Sequence, residues 1–151
     1  MMRHASLSHR FVESIPEVLE PGVLYVSWNY ATAAHKCCCG CGLEVVTPFS
    51  PTDWKLIFDG ETVSLHPSIG NWSFPCRSHY VIQRGRVIKA ASWSDTQVVA
   101  GRERDRREKA RYFGQEIPEP VVTREQSVPP KMGFWDRLKG SLRAVLGGDP
   151  D

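Results

Sequence analysis

The sequence predicts an α+β fold: a small, mainly antiparallel β domain, then a C-terminal amphipathic helix on a linker. Three observations predict it. Between residues 21 and 94, short β-branched and aromatic runs alternate with Gly-, Pro- and Asp-containing turns, the signature of antiparallel strands. Four of the five cysteines fall within six residues, Cys37-Cys38-Cys39-Gly40-Cys41-Gly42, and Cys76 is the fifth. Near the end of the chain, Phe134, Leu138, Leu142 and Val145 recur at the spacing of one helical face,.

The elements follow in order. Residues 1–20 form an N-terminal segment, and residues 21–100 form the β domain. Val23-Leu24-Tyr25-Val26-Ser27-Trp28 reads as a strand,. Ala31 to Lys36 reads as a helical turn or a loop entering the cysteines, and Leu43 to Pro48 as the strand leaving them. Trp54–Phe58 and Thr62–Leu65 flank Asp59-Gly60, a strong two-residue hairpin signal. His79–Gln83 and Arg86–Ala90 flank Arg84-Gly85, a weaker one. Residues 101–112 hold six cations against three anions, which reads as a solvated, salt-bridged helix. Residues 113–133 carry Pro118, Pro120, Pro129 and Pro130 and form a linker,. Residues 134–147 form the amphipathic helix, with Trp135 and Leu146 beside its apolar face.

The clustered thiols read as ligands of a structural zinc ion. Near-adjacent cysteines are poorly placed to bridge one another, and their number is odd. No signal-peptide pattern opens the sequence, so the expected compartment is the cytoplasm, where clustered thiols are more often metal ligands than disulfides. Two registers fit: Cys38-x-x-Cys41, or the alternating Cys37-x-Cys39-x-Cys41. Cys76 closes either one. His35 and His79 are candidates for a ligand place or for catalysis. A β domain of about 80 residues has a marginal core, and a metal staple remedies that.

Net charge is only +2, too small to draw the chain to nucleic acid. No apolar run approaches the roughly 20 residues that span a bilayer.

The stretch Ser64-Leu65-His66-Pro67-Ser68-Ile69-Gly70-Asn71-Trp72 holds more polar chemistry than a plain loop needs. Ser68, between a proline and a glycine, reads as an exposed serine on a turn. A histidine held beside it would act as its general base, and N–H groups near Gly70 would stabilise an oxyanion. Most serines in such a setting only close a turn. His66 fits a strand cap, and Asn71 a turn or a histidine-orienting group. No Gly-x-Ser-x-Gly elbow is present.

Taken together, Tyr30-Ala-Thr-Ala-Ala-His-Lys-Cys-Cys-Cys-Gly-Cys-Gly42, Trp54-Lys-Leu-Ile-Phe-Asp-Gly60, Ser64-Leu-His-Pro-Ser-Ile-Gly-Asn-Trp72 and Cys76-Arg-Ser-His-Tyr80 resemble a bacterial family catalogued as domain of unknown function 6527. The likeness covers roughly residues 20–92. Members occur in operons with E1-like, E2-like and ubiquitin-like proteins. The resemblance implies a zinc-containing peptidase that trims or removes the ubiquitin-like partner, with E1-like or E2-like proteins as further partners. It implies Cys37, Cys39, Cys41 and Cys76 as metal ligands, Ser68 and His79 as catalytic residues, and His35 as a third polar partner. The chain departs from the family at Cys38, where proline is frequent, and at Val81, where tryptophan is.

Three readings of function follow. The first is a serine-type peptidase with structural zinc, taking an extended tail in a groove lined by Trp28, Trp54, Trp72 and Tyr80. The second is a non-catalytic zinc-binding adaptor of the same conjugation system. The third, a hydrolase using zinc-bound water, ranks last because thiolate-rich sites are usually closed.

Overall fold

The computed structural model describes residues 2–115. Among these residues, eight strands and one helix form two four-stranded sheets and a helical arm. The first sheet has the order β1 (Ser8–Phe11), β2 (Val23–Ser27), β3 (Thr32–Lys36), β4 (Glu44–Pro48). The second has the order β5 (Lys55–Phe58), β6 (Val63–Gly70), β7 (His79–Gln83), β8 (Arg86–Lys89). All neighbours are antiparallel except β1, which runs parallel to β2.

The two sheets share one core. Leu24, Val26, Ala33 and Val45 of the first meet Val63, Leu65, Ile69, Tyr80 and Ile82 of the second. All five residues of β2 are buried, because its other face is also covered. There Val23 and Tyr25 pack with Leu19, Val12 and Ile15 of the segment between β1 and β2. That double burial explains why β2 is apolar without alternation.

Three local expectations need correction. Thr32–Lys36 is a strand and not a helical turn; two small alanines and His35 fill the space between β2 and β4. Asp59-Gly60 does not make a two-residue hairpin. The Asp59 carboxylate accepts from Glu61 N–H, Thr62 N–H and Thr62 Oγ1–H, and Asp59 N–H donates to the Thr62 carbonyl at 3.2 Å, which closes a turn over residues 59–62 with Gly60 and Glu61 at its tip. Ser68 is not on a tight turn but inside β6. Arg84-Gly85 does form a two-residue turn, with both φ angles positive, 50° and 72°, as a type I′ hairpin requires.

The helix α1 (Asp95–Tyr112) starts six residues before the charged run. Ser94 and Gln97 form a reciprocal capping box that fixes this start,. Only Val98, Gly101 and Ala110 are buried along it. Glu103 pairs with Arg106 and Arg107, and Lys109 with Asp53, so the helix is solvated and salt-bridged. No described helix is long and apolar enough to cross a membrane. The amphipathic helix expected at residues 134–147, and the expected linker from residue 116 onward, lie outside the described residues.

Candidate functional site

The thiols come from opposite sheets. Cys37, Cys39 and Cys41 lie in the β3–β4 connection, and Cys76 in the β6–β7 connection. Their four sulfurs all lie within 4.8 Å of one another and form a group that could hold a metal ion. Gly40 at φ 92° and Gly42 at φ 81° supply the left-handed residues that curl the backbone around this point,. The alternating register is therefore the one assembled. Cys38 points the other way, fully buried in the core, where burial pushes its thiol up to about 12. The Cys38-x-x-Cys41 register does not form.

A polar layer lies behind the sulfurs. Ser78 Oγ is 3.1 Å from Cys37 Sγ. Asn71 donates to Ser78 Oγ at 2.9 Å and lies 3.7 Å from Cys37 Sγ. His35 meets the Tyr80 hydroxyl at 2.8 Å through Nε2. It is fully buried, and burial holds its imidazole down to about 4, so it is neutral. His35 is thus in the core beside this layer, with no hydrogen bond to Ser68 or His79. Tyr80 is also fully buried and cannot line a surface groove, contrary to expectation.

Ser68 and His79 do come together. His79 Nε2 is 2.8 Å from Ser68 Oγ, and His79 Nδ1 is 2.5 Å from the Ala91 carbonyl oxygen. The strand register produces this. Gly70 of β6 sits opposite His79 of β7. Ser68 is two residues before Gly70 and so shares its face. Between Leu65 and Ile69, four residue steps of β6 span only two of β7, from Ile82 to Tyr80. Pro67 lies in this bulge, where its missing N–H costs no ladder bond. A carbonyl oxygen only accepts, so Nδ1 carries the proton and Nε2 offers its lone pair to the serine hydroxyl.

Two tryptophans wall the imidazole. Trp72 and Trp93 stack on each other with centroids 5.5 Å apart, and the His79 ring is 4.9 Å from Trp72 and 5.5 Å from Trp93. His79 is 8% exposed. Arg77, at φ 45°, lies over Trp72 and pairs with Asp95 at 2.8 Å. His79 is also only three residues beyond Cys76, so the sulfur cluster and the histidine share one short, bent segment. The expected alternative, His79 as a fourth metal ligand, is not what the geometry assembles.

A groove of about 780 Å³ is lined by Trp28, Phe49, Trp54, Leu56, His66 and Pro67 among others; it reaches the residue before Ser68, and neither Ser68 nor His79 lines it. Trp28 and Trp54 line it as expected. Trp72 instead covers His79.

The sequence reading missed Ala91, Trp93 and Ser78. Ala91 acts through its backbone, which leaves no trace in residue type. Trp93 precedes the Ser94-x-x-Gln97 cap, a readable signal that a helix starts there and turns the chain back.

Among known proteins, one family model matches residues 11–90, just over half of the chain; it is described as bacterial ubiquitination-like system serine protease (BubE). No curated protein and no solved structure matches.

Proposed function

The chain belongs to the family of bacterial ubiquitination-like system serine proteases, and we propose that it is a zinc-stabilised peptidase in which Ser68 is the nucleophile and His79 the general base. Its substrate is a ubiquitin-like protein, trimmed or released at its C-terminal tail. The observation that carries this reading is the 2.8 Å contact between Ser68 Oγ and His79 Nε2, with Nδ1 committed to a carbonyl.

The chemistry is acyl transfer. Ser68 Oγ attacks the carbonyl carbon of the scissile bond while its proton passes to His79 Nε2. His79 gives that proton to the leaving amine, and the C–N bond breaks. Water then attacks the Ser68 ester, again deprotonated by His79, and the carboxylate leaves as Ser68 regains its proton. The Ala91 carbonyl fixes the tautomer and ring orientation, the part an aspartate plays in a three-residue triad. Being neutral, it orients the ring with less charge stabilisation of the imidazolium.

The donor set supports zinc as the metal. Zinc held by four thiolates at about 2.3 Å sets the sulfurs about 3.8 Å apart in a tetrahedron. Among the sulfur pairs, Cys37–Cys39 are 3.4 Å apart and Cys37–Cys76 and Cys41–Cys76 are 3.9 Å apart, and all lie within 4.8 Å. These separations are far too long for disulfides. Zinc at this site would tie the two sheets together and hold the segment that bears His79. Four thiolates fill a tetrahedral ion, which argues against catalysis by zinc-bound water.

The test is cleavage of the system's ubiquitin-like protein fused through its tail to a reporter. Ser68→Ala and His79→Ala should each lower kcat by several orders of magnitude, roughly 10³ or more, with metal and melting retained. Near-normal turnover by Ser68→Ala contradicts the proposal. Tight binding without cleavage by the wild type returns the protein to the adaptor reading.

A further inference from the structure

We infer that His9, Phe11, Phe58 and Trp28 form a docking shelf for the folded body of the substrate, whose extended tail then runs along the groove to Ser68. The inference rests on the peptidase reading and adds where the substrate sits.

The shelf is a contiguous set of aromatic rings at the meeting edges of both sheets. Phe11 and Phe58 lie 5.1 Å apart, His9 packs on both, and Phe11 stacks with Trp28 at 6.2 Å. Exposure is 43% for Phe11, 44% for Phe58 and 59% for Trp28. Isolated exposed aromatics are ordinary, but a joined patch of them marks an interaction surface.

The shelf is continuous with the groove by two routes. Trp28 belongs to both, and its ring is 6.1 Å from Phe49 of the groove. On β5, Leu56 lies in the groove and Phe58 on the shelf; residues two apart on a strand share a face. The groove includes His66 and Pro67, and Pro67 directly precedes Ser68 in β6.

The backbone beside Ser68 also has no paired strand on one side among the described residues. β5 pairs with β6 only from Val63 to His66. Pro67 to Gly70 have no strand on that side among the described residues, and a peptide laid there would add to the sheet edge.

The occupant follows from this chemistry. Three of the four shelf rings, Phe11, Phe58 and Trp28, carry no ionisable group, so they fit an aliphatic or aromatic patch and not an acidic partner or nucleic acid. A patch continuous with an apolar groove fits a folded domain with an extended tail, and fits a free unfolded peptide less well.

The experiment uses the full chain, the ubiquitin-like protein fused to a reporter, and a dye-labelled amide of its last residues. Phe11→Ser combined with Phe58→Ser should raise KM for the fusion about tenfold or more, with kcat, metal content and the melt retained. The same double variant should change kcat/KM for the short amide much less than for the fusion. A benzophenone side chain at position 58 should crosslink to the folded part of the partner. An unchanged KM for the fusion overturns the inference while leaving the peptidase reading intact. So does a wild-type dimer that the double variant makes monomeric, since a second copy would then own the shelf. If the wild type cleaves neither substrate, the peptidase reading fails. The shelf is then judged by calorimetry, where loss of about tenfold in affinity for the fusion supports it and unchanged affinity overturns it.

Discussion

Cys37 and Cys76 lie on connections of different sheets, yet their sulfurs are 3.9 Å apart. A metal there would act as a staple between two halves of a small core. Binding energy at such a site is folding energy. The purified protein should contain one zinc per chain, and a strong chelator should abolish its cooperative melt. Cys76→Ser should lose metal and unfold. Cys38→Ala should keep metal and melt at a somewhat lower temperature, because Cys38 fills core volume and ligates nothing. Metal analysis with thermal denaturation checks all three. A metal-free protein with an intact melt refutes the staple.

Two glycines hold the tryptophan wall in place. A Cβ at Gly70 would overlap the Trp72 indole, and one at Gly101 would lie 2.7 Å from Trp93. Gly101→Ala gains about 1 kcal/mol of helix propensity but displaces Trp93 from His79. Each alanine variant should lower kcat on the order of a hundredfold, the scale of a misplaced catalytic group. Full activity in both would show that the wall does not position the imidazole.

The helix arm should matter through packing more than through charge. Arg77 and Asp95 are 43% and 89% exposed, and pairs so wet contribute about 0–1 kcal/mol. Asp95→Ala should change kcat by less than about threefold. Trp93→Ala removes a ring that contacts His79 at 5.5 Å and should cost far more. Steady-state kinetics on the two variants decide the order; the reverse order would make the ion pair the orienting element.

Much of this was legible in the residues. The β content, the cysteine set and the Ser68 and His79 candidates all lie in local patterns. The misses have physical causes. Strand β1 is largely exposed at a sheet edge and shows no alternation to read. Thr32–Lys36 looked irregular because a strand buried on its central residues by alanines lacks β-branched bulk. Ser68 looked like a turn residue because Pro67 and Gly70 flank it, whereas a two-residue register slip absorbs the proline inside β6. Choosing between Cys37 and Cys38 needed the direction of each side chain, which alternates along an extended backbone. The Ala91 carbonyl had no side-chain signature at all.

The most direct measurement is covalent labelling with a fluorophosphonate, followed by peptide mapping. An activated serine displaces fluoride and keeps the phosphonyl group. The account predicts one adduct per chain, on Ser68, absent from Ser68→Ala and strongly slowed in His79→Ala. No adduct on a folded, metal-replete protein, or an adduct on another residue, would contradict it.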